Sequence, residues 1–353
     1  MSPSFSLCQL SLPDQPDQID DQVARAGAPL TQSLKYAHWN RAVGRKVFRL
    51  MWQNEKKEPR AFAQALIYNL KLNQKVLHLP HGPVLLKDRN PELVKTIIKD
   101  LSSLSQEYSA FLLRCDPLPP TVNDPVWTEL GNRTPEVIKK MHFSQPAREW
   151  VIDLTGSIND IWQKLPGSTR YDIRKNKTPG ITTEIIDHET VKYFEIFYQL
   201  MNITAQRNKF TLHSQEYYSR ILEQITKHDD DFMVLIRYHG QPAAVNLIIG
   251  YGQTALYLFG GSKRIPGNLN PSYWAQWVSL TEAKARNFKW YNQGGISTES
   301  EPRPSWEGLT KFKKKFPGQT IKYSPSYDFP IQKTKYYSFL TLKKITDYGK
   351  KLR

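Results

Sequence analysis

Residues 232–260 read FMVLIRYHGQPAAVNLIIGYGQTALYLFG. Three apolar runs, Phe232–Tyr238, Pro242–Gly250 and Ala255–Gly260, are separated by His239-Gly240 and Tyr251-Gly252. Short runs rich in β-branched and aromatic residues, punctuated by glycine-containing pairs, predict an antiparallel meander.

The pattern extends in both directions. Downstream, Asn270-Pro271 opens a helix over Pro271–Phe288, a strand over Lys289–Asn292 ends in Gly294-Gly295, and Trp306–Phe316 is a short helix. Upstream, Glu149–Leu154 is a strand. Ser157, with Asp160 three residues on, caps a helix that runs toward Lys175 and stops before Pro179-Gly180. Ile181–Ile186 alternates as a strand, and helices cover Val191–Arg207 and Ser214–His228. The order β-α-β-α-α-β-β-β-α-β suits an N-acetyltransferase-like α+β fold.

The first half mixes the same elements. Lys46–Trp52, Ala61–Leu70, Val76–Leu79 and Ala110–Cys115 read as strands. Pro91–Tyr108 is a helix with Asn90 as N-cap, and Trp127–Met141 is another. Residues 1–24, rich in Ser, Pro, Gln and Asp, read as a mobile tail. A chain of 353 residues makes two domains the natural division.

Forty-nine Lys and Arg against 33 Asp and Glu leave a net charge of +16. An excess of this size favours a polyanionic partner. It concentrates from Arg303 onward, where thirteen basic side chains stand against Glu307, Asp328 and Asp347. Cys8 and Cys115 make neither a disulfide framework nor a zinc site, and no histidine has metal-ligand spacing. His228-Asp229-Asp230-Asp231 reads as a solvated turn before a strand. No phosphate-binding Gly-x-x-x-x-Gly-Lys-Ser/Thr loop occurs. No run spans a membrane, and no basic start precedes an apolar core. The expected state is therefore cytoplasmic, without metal or cofactor.

Several strings in order resemble the Fem family of non-ribosomal peptidyltransferases. In the first half they are Gln32-Ser33-Leu34-Lys35-Tyr36, Pro80-His81-Gly82-Pro83-Val84 and Arg114-Cys115-Asp116-Pro117. In the second they are Thr169-Arg170 through Arg174-Lys175, Thr204-Ala205-Gln206-Arg207 with Phe210 and Tyr217-Tyr218, and Tyr257-Leu258-Phe259-Gly260-Gly261-Ser262. Gly308-Leu309 with Phe312-Lys313 and Phe316-Pro317-Gly318 closes the series. Each string is weak alone; their joint order is specific. Tyr36 stands where the family has Trp, and Asn40 where its compact FemX type has a phosphate-binding Lys. Tyr291-Asn292-Gln293-Gly294-Gly295 replaces a Tyr-Asp-x-x-Gly-Gly string.

The resemblance implies two tandem acetyltransferase-like domains, one over 25–147 completed by a return of about 323–353, the other over 148–322. It implies an aminoacyltransferase that carries an amino acid from aminoacyl-tRNA to the side-chain amine of a peptidoglycan precursor. That precursor is lipid-linked or nucleotide-linked (UDP-linked), and the product is an interpeptide bridge. The ester is already activated, so the protein must position both substrates, ease proton loss and stabilise an oxyanion.

The residues sort by that chemistry. Lys313 and Asp116 are the catalytic candidates: an ammonium near the tRNA end, and a carboxylate to orient the attacking amine. By the resemblance Arg207, whose planar fork suits phosphate oxygens, is expected to grip the precursor diphosphate. Phe210, Tyr217, Tyr218, Tyr36, Asn40, Arg41, Tyr257 and Phe312 complete the substrate-binding set. Arg170, Arg174, Lys311, Lys314 and Lys315 are candidates for tRNA phosphates, though a solvated basic face explains them equally well. The apolar positions between Lys333 and Arg353, interleaved with lysines, suit either packing on the first domain or peripheral contact with the inner membrane leaflet.

Two other readings remain open from the residues alone. One is an acyl-CoA-dependent N-acyltransferase, for which Arg264-x-x-Gly267-x-Leu269 is an imperfect pyrophosphate loop. The other is a basic nucleic-acid-binding protein without catalysis.

Overall fold

A computed structural model describes residues 4–13, 18–86, 90–118, 138–139, 145–225, 229–299, 302–324 and 326–351. The chain divides into two units, Met1–Gln145 with Tyr323–Arg353, and Pro146–Lys322.

The first unit begins with β1 (Phe5–Leu10), α1 (Gln18–Arg25) and α2 (Leu34–Ala42). It continues through β2 (Lys46–Asn54), β3 (Pro59–Asn69), β4 (Lys75–Leu79), β5 (Val84–Leu85), α3 (Pro91–Glu107), β6 (Ala110–Cys115) and β7 (Ile138–Lys139). The second holds β8 (Arg148–Asp153), α4 (Ile158–Lys164), α5 (Gly167–Lys175), β9 (Ile181–Ile186), α6 (Phe194–Asn208) and α7 (Gln215–Ile225). After these come β10 (Phe232–Tyr238), β11 (Gln241–Tyr251), β12 (Thr254–Ser262), α8 (Pro271–Ala285), β13 (Trp290–Gly295), α9 (Glu307–Lys313) and β14 (Gln319–Lys322). The chain then returns to the first unit as β15 (Tyr327–Pro330) and α10 (Lys333–Lys351).

Each unit is a mixed sheet with helices. The first sheet runs β1-β2-β3-β4-β6-β15-β7, with β5 on β3; the second runs β14-β8-β13-β12-β11-β10-β9. Pairing is antiparallel except for β4 with β6 and β12 with β13. In the first unit Trp52, Leu77, Leu101 and Leu113 close a core between sheet and α3. In the second, Val234, Ile236, Ile248, Leu280 and Tyr291 do the same beneath α8. The architecture is the acetyltransferase-like α+β class expected from the meander.

Three expectations change. Within the expected tail, Phe5–Leu10 form a strand and Gln18–Arg25 a helix. Phe5 to Leu10 pair with Asn54 to Arg49 of β2, and Asp20 accepts the Leu34 amide at 2.7 Å. Backbone pairing to a sheet edge needs little apolar composition, so a polar tally misses it. Second, the helix expected from Ser157 to Lys175 is two. The Ser157–Asp160 capping box forms, but the helix stops at Lys164, and Pro166 in extended geometry starts the next. Third, most of the helix expected over Trp127–Met141 lies outside the described residues, and Ile138–Lys139 within it are a strand paired to β15.

The return segment is held by charge as well as pairing. The Asp328 carboxylate, fully buried, takes two bonds from the Arg114 guanidinium at 2.6 and 2.8 Å and one from the Tyr336 hydroxyl at 2.9 Å. Tyr336 packs with Val76, Phe111 and Leu112, and Phe339 and Leu340 join them. Packing on the first domain therefore accounts for these apolar positions, while Tyr337 and Leu342 stay exposed.

Candidate functional site

The lysine-rich helix α9 sorts its charges by direction. Lys311 and Lys314 are exposed and Lys315 is half-buried, whereas Lys313 is only 4% exposed. Phe312, on the same turn, packs on Tyr273 and Phe316 with ring centroids 5.1 and 5.9 Å away. Its position is explained by packing rather than by a ligand.

The Lys313 Nζ donates to the Gly295 carbonyl at 2.7 Å. That carbonyl follows a turn in which Gly294 has φ +75°. A Cβ on Gly294 would lie 3.7 Å from Lys313 Nζ and 3.9 Å from the Tyr257 carbonyl oxygen. The ammonium thus sits at the mouth of a strand gap. The parallel ladder joins Thr254 to Trp290 and Leu256 to Asn292 and then ends. Burial pushes the Lys313 amine down to about 8, against a smaller opposing pull from Glu149. An amine titrating there is a hydrogen-bond donor that releases its proton near neutral pH.

Glu149 and Asn292 support this turn. Glu149 is 8% exposed, and its Oε2 accepts from Asn292 Nδ2 at 2.7 Å. Asn292 Oδ1 accepts from the Gly294 amide at 2.7 Å. Gln293 between them is 1% exposed, and neither polar atom of its amide meets a partner among the described residues.

On β12, Tyr257 shares a face with Tyr291 because parallel neighbours point the same way. A bulge skips Leu258, passing from Leu247–Phe259 to Ile248–Tyr257. The Tyr257 ring consequently lies over Gly260, where any Cβ would overlap its hydroxyl. Burial raises the Tyr257 hydroxyl and keeps it a neutral donor.

Arg207 stands at the far end of the same strand. Its Nη1 donates to the Ser262 carbonyl at 2.8 Å and its Nη2 to Ser262 Oγ at 3.2 Å. Thr204 Oγ1 bonds both the carbonyl and the amide of Ser262. The guanidinium is fixed yet exposed, and partial burial together with Arg264 lowers its pKa. Two cations in reach of one another favour an anion there. Nearby, Tyr218 is 3% exposed within a cluster of Phe197, Tyr198 and Phe259. Tyr217 is half-buried against His213, centroids 4.1 Å apart, and Phe210 is 42% exposed. Of the tyrosine pair, Tyr218 is a packing residue.

The first unit holds the remaining candidates. Asp116, at the end of β6, is buried with its Oδ2 2.9 Å from Nε2 of the buried His78. Tyr36 packs edge-on against Trp39. Asn40 departs from its expected role: it is fully buried, donating to the Tyr36 carbonyl at 2.7 Å and accepting from Arg45 at 2.6 Å. Both ends of its amide serve the fold. Arg41 beside it is exposed.

Of the expected tRNA-facing residues, Arg170, Arg174 and Lys314 engage neighbours and stay at or near the surface. Arg170 donates to the Gln163 carbonyl at 3.0 Å, and Arg174 lies 5.3 Å over Trp162. Lys175 covers the exposed Tyr171, Lys177 covers Trp274, and Lys314 covers Trp150. Among the described residues no three His, Cys, Asp or Glu side chains group as a metal site, and no helix is long and apolar enough to cross a membrane.

The FemAB family model matches residues 137–238 and 237–344. The chain belongs to the FemAB family. No curated protein matches the sequence. Among solved structures, FemX superposes with a TM-score of 0.79 at 15% identity, covering 94% of this chain and 99% of FemX. L-PGS from Bacillus licheniformis gives 0.56 at 13%, covering 90% and 93%. A tandem GNAT protein from the clavulanic acid biosynthesis pathway gives 0.56 at 8%, covering 93% and 99%. As a FemAB member of FemX-like fold, the chain is an acyltransferase-type enzyme, and the family implies a peptidoglycan precursor as substrate.

Reading the sequence alone named Asn292 and Gln293 only within a family-like string, without a role, and missed Glu149 as their neighbour and His78 as the partner of Asp116. Gly294-Gly295 was the available signal for the turn. Nothing local linked it to Glu149, which is 143 positions from Asn292.

Proposed function

We propose that this FemAB protein moves an amino acid from aminoacyl-tRNA to the side-chain amine of a peptidoglycan stem peptide, extending the interpeptide bridge. The observation that carries the reading is Lys313, a buried ammonium held at the open end of the β12–β13 ladder. The acceptor amine attacks the ester carbonyl, the amide C–N bond forms, and the ester C–O bond breaks. The ribose hydroxyl of the tRNA leaves with a proton that originates on the amine. Lys313 donates to the oxyanion during this step, where a desolvated donor is worth most.

The other roles follow from placement. Arg207, aimed by Ser262 and joined by Arg264, suits the diphosphate of a lipid-linked or nucleotide-linked precursor. The exposed Tyr171 and the cations Arg170, Arg174, Lys311, Lys314 and Lys315 suit the phosphates and unpaired bases of a tRNA acceptor end. Asp116 remains the candidate for orienting the acceptor ammonium. We place the protein in the cytoplasm, meeting lipid-linked precursor at the inner leaflet.

The test is direct. Purified protein receives labelled aminoacyl-tRNA with UDP-linked or lipid-linked stem peptide, and acetyl-CoA replaces the tRNA in a parallel arm. An extended peptide from the tRNA arm supports the reading. Transfer from acetyl-CoA alone overturns it.

A further inference from the structure

Asn292 uses both ends of its side-chain amide. One end of its side chain gives a proton to the Glu149 carboxylate, and the other accepts one from the Gly294 amide, each over 2.7 Å. These two partners fix which end of the amide is nitrogen and which is oxygen. An aspartate would keep the bond to Gly294 but set a carboxylate oxygen 2.7 Å from Glu149, a like-charge contact in a buried site. An alanine would lose both bonds and release the turn.

The turn has no slack of its own. Gly294 takes a left-handed conformation that favours glycine. A Cβ on Gly295 would lie 2.5 Å from Trp306 and 2.8 Å from Pro146, so its backbone is wedged between those side chains. The next group out, the Gly295 carbonyl, receives Lys313 Nζ. A continuous chain of short contacts therefore runs from Glu149 on β8, through the Asn292 side chain, into the Gly294–Gly295 turn and on to the Lys313 ammonium.

We infer that Asn292, oriented by Glu149, is the positioning residue for Lys313: it shapes the turn whose carbonyl fixes where the ammonium stands. The inference rests on Lys313 acting at the transfer site. Glu149 has a second effect through space, because its charge partly offsets the desolvation of Lys313. Among the described residues, Glu149 is the charged side chain on the sheet whose field acts on the ammonium. Lys311 and Lys314 on the helical side are exposed, and burial keeps Tyr257 and Tyr291 neutral.

Three variants of the full chain test this: Asn292→Ala, Asn292→Asp, and the exchange Glu149→Gln with Asn292→Asp. The exchange keeps both hydrogen bonds and one negative charge but moves that charge across the pair. Two readouts are used: kcat and KM for transfer, and the titration of Lys313 by NMR of lysine-labelled protein, with the signal assigned by its loss in Lys313→Met. Asn292→Ala is expected to lower kcat on the order of a hundredfold with little change in KM, the size set by roughly 1 Å of misplacement. Its Lys313 titration rises toward the ordinary lysine range as the ammonium regains water.

Asn292→Asp loses activity comparably, and the exchange recovers most of it and returns the titration to near 8. The inference is overturned if Asn292→Ala leaves kcat and the titration unmoved, or if the exchange is no better than Asn292→Asp. Should Asn292→Ala not fold, the comparison of the exchange with Asn292→Asp decides alone. The NMR titration needs no turnover. A chain that transfers nothing from tRNA, but whose Lys313 responds as described, sinks the functional reading and leaves this one standing.

Discussion

Lys313 Nζ and the Gly295 carbonyl oxygen lie 2.7 Å apart, joining helix α9 to the turn that ends β13. The bond holds a charge on a side chain almost closed to solvent, and its consequences are measurable.

The first concerns pH. The Lys313 amine titrates near 8 in the fold against 10.5 when unperturbed. The unfolded chain therefore binds more protons between those values, so stability rises with pH through that window. Below about 8 the full cost of the buried ammonium is present, on the order of 3 kcal/mol. Lys313→Met should abolish transfer yet gain stability relative to wild type at pH 7, an advantage that shrinks toward pH 10. Urea unfolding of both proteins at the two pH values checks it, and an advantage independent of pH would count against the assignment.

Gln293 gives the opposite kind of prediction. Its buried amide has donors and an acceptor without partners among the described residues. Replacing such a group by an apolar one of similar size removes a desolvation cost of about 1–3 kcal/mol. Gln293→Leu is expected to raise the urea midpoint, and a fall of comparable size would refute this view of the site.

The return of the chain to the first unit depends on Asp328. Asp328→Ala leaves the Arg114 guanidinium buried without its carboxylate and removes the acceptor of Tyr336. Breaking a buried pair in this way costs about 3–5 kcal/mol. Hydrogen exchange should show protection lost first in β15 and its neighbour β6, while β10 to β12 keep theirs.

Gly261 marks a close approach of strand to helix. A Cβ there would lie 2.5–2.7 Å from the backbone of Leu200 and Met201 in α6. Backbone cannot rotate aside as a side chain can, so Gly261→Ala must separate α6 from β12, an overpacking cost of about 1–3 kcal/mol. Arg207 and Ser262 sit at that junction, so the variant should also raise KM for the precursor. Thermal unfolding and steady-state kinetics measure the two effects separately.

Arg207→Lys keeps the charge and loses the fork. Without the paired bonds to the Ser262 carbonyl and hydroxyl, the cation no longer has one direction. KM for the diphosphate-bearing precursor should rise about tenfold or more, with kcat nearly unchanged. Equal losses in kcat would move Arg207 from binding to chemistry.

Local signals were enough for much of this protein. Residues 232–260 carried the meander, because glycine pairs and apolar runs act within a few positions of one another. The Ser157–Asp160 box and the Asn90-Pro91 helix start formed as expected for the same reason. Short strings also put Lys313 and Arg207 forward as candidates, and the charge excess made an anionic partner the expectation.

Other features depended on residues far apart in the chain. Phe5–Leu10 became a strand because β2 offered an edge, which its polar composition does not reveal. Four lysines in five positions could not say which one is buried; the sheet beneath α9 selected Lys313. Asn40 looked like a ligand position until Arg45 and the Tyr36 carbonyl claimed its amide. Glu149, Asn292 and the Gly294 turn act as one unit only because β8 and β13 pair. Periodicity and turn chemistry are short-range and can be read along the chain. Burial, charge pairing and the direction of a side chain arise from long-range contacts, and here only the tertiary structure decided them.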